Sequence, residues 1–123
     1  MQGLHLTADL RGCLGTGTAM TEPVALRSLC LQVVAEAGLQ AVGDLFHRFP
    51  PPGGVTGVVL LAESHLAVHT WPELRAVTLD VYVCNLGADN SAKAQALMAS
   101  LQEAFAPAQI EQHRLPRGTT TAA

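Results

Sequence analysis

Charge is scarce in this chain. Only 14% of its 123 residues are Asp, Glu, Lys or Arg, with seven Lys+Arg against ten Asp+Glu and a net charge of −3. That composition supplies no basic footprint for nucleic acid or an anionic membrane, so neither is an expected partner. Cysteine is scarce too. Cys13, Cys30 and Cys84 are odd in number and lack Cys-x-x-Cys spacing, which argues against a disulfide scaffold or structural zinc and predicts free thiols. The apolar runs fall far short of a membrane span, and Met1-Gln2-Gly3-Leu4-His5 lacks the basic region and apolar core of a signal peptide. A cytoplasmic protein is expected. What is abundant is apolar side chain, at 49% of residues. One domain over 1–123 is the reading at this length, and so greasy a surface favours a homo-oligomer.

Leu4, Leu6, Ala8 and Leu10 alternate with polar residues, as in a strand with one buried face. Gly12 to Met20 has no periodicity and reads as a loop. Thr21-Glu22-Pro23 then opens a helix whose apolar stripe, Leu26, Leu29, Cys30, Val33, Val34 and Ala37, ends at Gly38, with Cys30 as a packing residue. Strands are predicted at Leu39 to Phe49, Gly57 to Ala62, Leu66 to Trp71 and Ala76 to Cys84. The second is apolar at every position, as for a strand covered on both faces, and the last sets Cys84 on one face with Tyr82 and Asp80. Ser91 caps a second helix with Ala94, Leu97, Met98, Leu101 and Phe105 on one side, Pro107 stops it, Ala108 to Leu115 is a weak last strand, and 117–123 is a frayed tail. The order β-α-β-β-β-β-α-β with short connections predicts an α+β fold, a two-layer sandwich of a largely antiparallel sheet with both helices on one face. The other face is left bare, and sheet-to-sheet dimerisation would cover it.

Polar chemistry is concentrated between Leu61 and Glu73, where Glu63, Ser64, His65, His69, Glu73 and the single tryptophan, Trp71, sit between apolar strands. Polar groups at that density are costly unless hydrogen-bonded or used. On spacing alone Glu63-Ser64-His65 is compatible with a simple turn. His65 and His69 fall on one face of an unbent strand, but no third ligand is assigned, so no metal is expected. A serine hydrolase lacks its glycine-flanked elbow here.

The words Gly54-Val55-Thr56-Gly57-Val58-Val59, Glu63-Ser64-His65 and His69-Thr70-Trp71-Pro72-Glu73, with Leu4-His5-Leu6, Phe46-His47-Arg48-Phe49 and Cys84 at similar spacing, cover most of the chain. In them the sequence resembles the pyruvoyl-dependent S-adenosylmethionine decarboxylases of the short prokaryotic type. The resemblance implies a proenzyme of polyamine biosynthesis that cuts itself between Glu63 and Ser64, giving a β chain of 1–63 and an α chain of 64–123 with a pyruvoyl cofactor derived from Ser64. Such a ketone binds the substrate amine as a Schiff base and accepts electrons as CO2 leaves. It further implies Thr56, in place of a frequent serine, as oxyanion donor during processing, His69 as the base for the Ser64 α-proton, and Cys84 as the acid returning a proton to the product. Phe49 matches an adenine-stacking position, Glu73 an acidic residue near substrate, and Asp9 stands where a glutamate is frequent. Strand alternation puts Ser64 and His69 on opposite faces, so the roles require a bend or bulge near Ser64. The sequence departs from the family at Leu74-Arg75-Ala76-Val77-Thr78, where a Tyr-Gly-Tyr-like segment is common after Trp-Pro-Glu, and at Cys84-Asn85, where Cys-Gly is common. S-adenosylmethionine is the expected small-molecule substrate, with ornithine or arginine as the alternative and a homodimer of processed αβ protomers as the assembly. A non-catalytic homologue that binds a partner subunit is the reading from a different class.

Overall fold

The computed structural model describes residues 2–85 and 87–118. Strand β1 (Gly3–Arg11), helix α1 (Pro23–Glu36), strands β2 (Ala41–Arg48), β3 (Val55–Leu61), β4 (Ser64–Trp71) and β5 (Ala76–Cys84), helix α2 (Ser91–Phe105) and strand β6 (Gln109–Arg117) follow in the predicted order, with single 3₁₀ turns at Gly17–Met20 and Pro72–Leu74. The six strands form one sheet in the order β2-β3-β4-β5-β1-β6, every neighbouring pair antiparallel. The first strand is thus inserted between two of the last.

Both helices pack on one face. Leu26 and Val34 of α1 and Leu97, Leu101 and Phe105 of α2 are fully buried in one core with Leu6, Leu10, Leu66 and Val81 of the sheet. Each such side chain contributes roughly 1.5–3 kcal/mol over leaving it in water. Cys30 is among them, and burial pushes its thiol up to about 12. None of the three cysteines is in a disulfide.

Several boundaries differ from the sequence reading. β3 is covered on one face only: Val59 and Leu61 are buried, whereas Leu60 is 50% exposed. With Leu45 at 71% and Leu115 at 46%, it leaves apolar side chains on the sheet face away from the helices, here the outer face. β4 starts at Ser64 and not Leu66, because Leu61↔Ser64 already closes the hairpin. Asn90, not Ser91, occupies the cap of α2, and Ser91 Oγ instead accepts from Asn85 Nδ2 at 3.1 Å. β6 runs through Arg117, which pairs with Gly3, so Arg117 belongs to the sheet and not to a tail. Of that expected tail, 119–123 lie outside the described residues.

Candidate active site

The β3–β4 hairpin turns on two residues, Ala62 and Glu63. Two-residue hairpins favour turns with positive φ at the first or both loop positions, because those match the strand twist. Here Glu63, the second position, has φ 56° and Ala62 does not share it. A non-glycine residue held left-handed costs about 1–2 kcal/mol, so the strain is stored at the Glu63–Ser64 junction. Ser64 Oγ accepts the Cys84 main-chain N–H at 3.1 Å, and the Cys84 side chain is buried. Glu63, Ser64 and Cys84 therefore meet at one end of the sheet.

Thr56 and His69 meet at the other. They are register partners on the outer face, with Thr56 Oγ1 and His69 Nδ1 3.0 Å apart. Phe49, Thr56, His69, Trp71 and Glu73 line a cavity of about 260 Å³. Gly54 lets the Pro50–Gly54 loop close beside it, since a Cβ there would collide with the Thr70 carbonyl. Buried Thr70 secures that junction by accepting from Val55 N–H at 2.8 Å and donating to Met20 O at 2.7 Å. Asp9 pairs with Thr78, which pairs with His69, so Asp9 also lies at this end, two strands over.

The register between β3 and β4 is continuous from Thr56↔His69 to Leu61↔Ser64, and that between β4 and β5 from His65↔Tyr82 to Trp71↔Ala76. The bend required to join Ser64 to His69 is absent from β4. Five residues of strand separate them by roughly 16 Å, and alternation points them to opposite faces.

The structure also gathers residues to which the sequence reading gave no role. Trp71, 45% exposed, lines the same cavity as Phe49, 46% exposed. Beside Ser64, a second cavity of about 260 Å³ is lined by Glu63, Ser64, His65, Tyr82 and Arg117. Beneath it His5 bonds Asp80, and His65 Nε2 lies 4.0 Å from the same carboxylate oxygen. Tyr82 stacks on His65 with ring centroids 5.7 Å apart and meets the edge of His5 at 6.0 Å. Gly3 makes room, since a Cβ there would lie 2.7 Å from the Tyr82 hydroxyl. The pattern-level signal for this cluster was alternation, which grouped Asp80 and Tyr82 with Cys84.

His5, His65 and Asp80 bring three possible metal donors within 4.8 Å of one another. Arg117 Nη1, however, lies 3.0 Å from His5 Nδ1. A guanidinium only donates, so Nδ1 accepts, and the neutral ring carries its proton on Nε2, facing Asp80. Both ring nitrogens of His5 are thus engaged, and a metal on Nε2 would have to displace both proton and arginine.

At the departing Leu74-Arg75-Ala76 segment, Arg75 has φ 47°, its N–H bonds Pro72 O at 3.1 Å and its carbonyl accepts Cys13 N–H at 2.9 Å. The turn has a left-handed backbone of the kind that favours glycine.

Comparison with known proteins finds relatives over nearly the whole chain. The family model described as S-adenosylmethionine decarboxylase matches residues 4–118. The S-adenosylmethionine decarboxylase proenzyme of Archaeoglobus fulgidus is 38% identical over 116 residues, spanning 94% of this chain and 97% of the relative. That of Persephonella marina is 39% identical over 117 residues, spanning 95% and 83%. The crystal structure of the adenosylmethionine decarboxylase from Aquifex aeolicus superposes with a TM-score of 0.85 at 34% identity, covering 98% of this chain and 94% of that one.

Proposed function

The chain belongs to the S-adenosylmethionine decarboxylase family, and from that premise we propose that it is a self-processing, pyruvoyl-dependent carboxy-lyase acting on S-adenosylmethionine in polyamine biosynthesis. The observation that carries the processing step is the left-handed Glu63 immediately before a serine whose Oγ is held by the Cys84 N–H. Attack of Ser64 Oγ on the Glu63 carbonyl forms the C–O bond and breaks the C–N bond, and the hydroxyl proton ends on the Ser64 nitrogen. Loss of the Ser64 α-proton then expels Glu63 as a carboxylate, and water replaces the nitrogen at the α-carbon to leave a ketone and ammonia. Strain at Glu63 is relieved as the chain opens, and the fixed Oγ lowers the entropic part of the barrier. The ketone supplies the electron sink for loss of CO2 from a bound α-amino acid.

Thr56 and His69 act on Ser64 from a second copy of the chain in this proposal. Within one chain they lie at the far end of the sheet, and the outer face carries exposed Leu45, Leu60 and Leu115 that a partner sheet would cover. A two-fold pairing of outer faces with the strands reversed carries the Thr56, His69, Phe49 and Glu73 end of one copy toward the cavity of the other that Ser64, at the end of β4, lines together with the outer-face residues His65, Tyr82 and Arg117. Cys84, adjacent to Ser64, is the acid that protonates the product carbon, and Asp9 is a substrate-side carboxylate at the His69 end.

Phe49 and Trp71, two exposed aromatics on one cavity with Glu73 beside them, favour a nucleoside bearing a sulfonium over ornithine or arginine. No described helix is long and apolar enough to cross a membrane. A cytoplasmic setting is part of the proposal, supported by three cysteines none of which is in a disulfide. Mass spectrometry of the purified chain is expected to find fragments 1–63 and 64–123, the second with a blocked pyruvoyl end. An intact wild-type chain would sink the processing mechanism and favour the non-catalytic homologue. CO2 release measured side by side from S-adenosylmethionine, ornithine and arginine tests the substrate, and turnover of either amino acid alone would reverse the choice.

A further inference from the structure

We propose that Arg117 is a substrate-binding residue that receives the α-carboxylate of the substrate beside the residue-64 reaction centre. This rests on the proposed function. The carboxylate leaves from the carbon bonded to the reacting nitrogen, so whatever binds it must line the cavity that contains Ser64. Glu63, Ser64, His65, Tyr82 and Arg117 line that cavity. Arg117 is held there without being neutralised. One guanidinium nitrogen donates to His5 Nδ1 at 3.0 Å, its carbon lies 5.9 Å from the Tyr82 ring centroid, and among the described residues it forms no ion pair within 4.0 Å. Asp80, the nearby carboxylate of the cluster, is engaged by His5 and flanked by His65. The remaining N–H donors of the fork match a carboxylate in geometry and charge. Arg75 lies at the opposite end of β4, after the Pro72–Leu74 turn.

The reaction removes the charge that Arg117 binds. A contact to a carboxylate that departs as neutral CO2 is as strong in the ground state as in the transition state or stronger, so its loss raises KM and leaves kcat unchanged or slightly higher. The decarboxylated product has no carboxylate, and its affinity is indifferent to Arg117. Glu63 acquires a new terminal carboxylate in the same cavity after cleavage, and were that the true partner of Arg117, substrate and product would weaken together.

The test uses processed wild type, Arg117→Gln and Arg117→Lys, with cleavage verified by mass spectrometry. Arg117→Gln is expected to raise KM for S-adenosylmethionine by about 10-fold or more, the usual scale for a lost charge-assisted pair, with kcat retained. The inhibition constant of the decarboxylated product should stay within about twofold, and Arg117→Lys should recover part of the KM. An unchanged KM overturns the assignment, as does a product constant that weakens in parallel with KM. Failure of both variants to fold or cleave also overturns it, by making the arginine structural. Absence of S-adenosylmethionine turnover in the wild type strikes instead at the proposed function.

Discussion

Ser64 Oγ and the Cys84 main-chain N–H are joined by a 3.1 Å hydrogen bond across 20 residues of sequence. The bond is a product of the β4–β5 ladder, whose last pair before the hairpin end is His65↔Tyr82. It ties the proposed nucleophile to a central strand while the residue before it is held in a left-handed turn. Position and strain thus come from different elements, and they can be altered separately.

Glu63→Gly separates them. Glycine adopts φ 56° without the Cβ penalty, so in a Ser64→Ala background, where no cleavage occurs, the substitution should stabilise the chain by about 1 kcal/mol. A thermal melt is expected to rise by about 3–6 °C. In the Ser64 background the same change should slow self-cleavage, because less strain is released at the bond. A melt that falls, or cleavage that accelerates, would remove backbone strain from the mechanism.

Cleavage should not release the fragments. β1 of the first fragment pairs with β5 from Gly3↔Cys84 to Leu10↔Val77 and with β6 from Gly3↔Arg117 to Arg11↔Gln109, both strands belonging to the second fragment. β3 pairs with β4 on the other side. Separating the chains requires breaking three ladders and the shared core. Size-exclusion chromatography of the processed protein is expected to give one peak containing both fragments, which part only in denaturant.

The strands and helices were legible in sequence because period-two runs such as Leu4 to Leu10 and Val77 to Val83 and the helical stripe around Leu26 each report a single buried face. β6 was less legible because it is exposed throughout and takes its order from β1. For the same reason the sequence reads Arg117 as tail and gives no sign of its contact with His5: β1 is inserted between β5 and β6, a long-range pairing without a local signal. Alternation did separate Ser64 from His69, and the uninterrupted registers agree. What that pattern cannot supply is a second copy of the chain.

The buried thiol of Cys30 makes stability pH-dependent at the alkaline end. Burial raises it from 9.0 to about 12, so the folded state holds the proton over a range in which the unfolded chain releases it. This contribution is fully present below about pH 9 and is lost as pH rises toward 12. Denaturant melts from pH 8 to 11 should show a decline that Cys30→Val reduces. Native Cys30 should also resist alkylation at pH 8 and react once the protein is unfolded.

The separation of Ser64 from His69 yields the sharpest test of assembly. If each centre takes Ser64 from one copy and Thr56 with His69 from the other, then Ser64→Ala and His69→Ala chains, each inactive alone, complement when co-expressed. In a mixed dimer one centre receives both substitutions and the other receives neither. Random pairing makes half of the dimers mixed, so about a quarter of all centres are intact, by the symmetry of a two-fold assembly. Processing and CO2 release are expected to recover to about that fraction of wild type. Thr56→Val should behave like His69→Ala in the same mixture, because it removes the hydroxyl that meets His69 Nδ1 at 3.0 Å while preserving shape. No recovery in either mixture, with dimers present by sedimentation, would mean that Ser64 and His69 of one chain reach each other after all, through a rearrangement of β4.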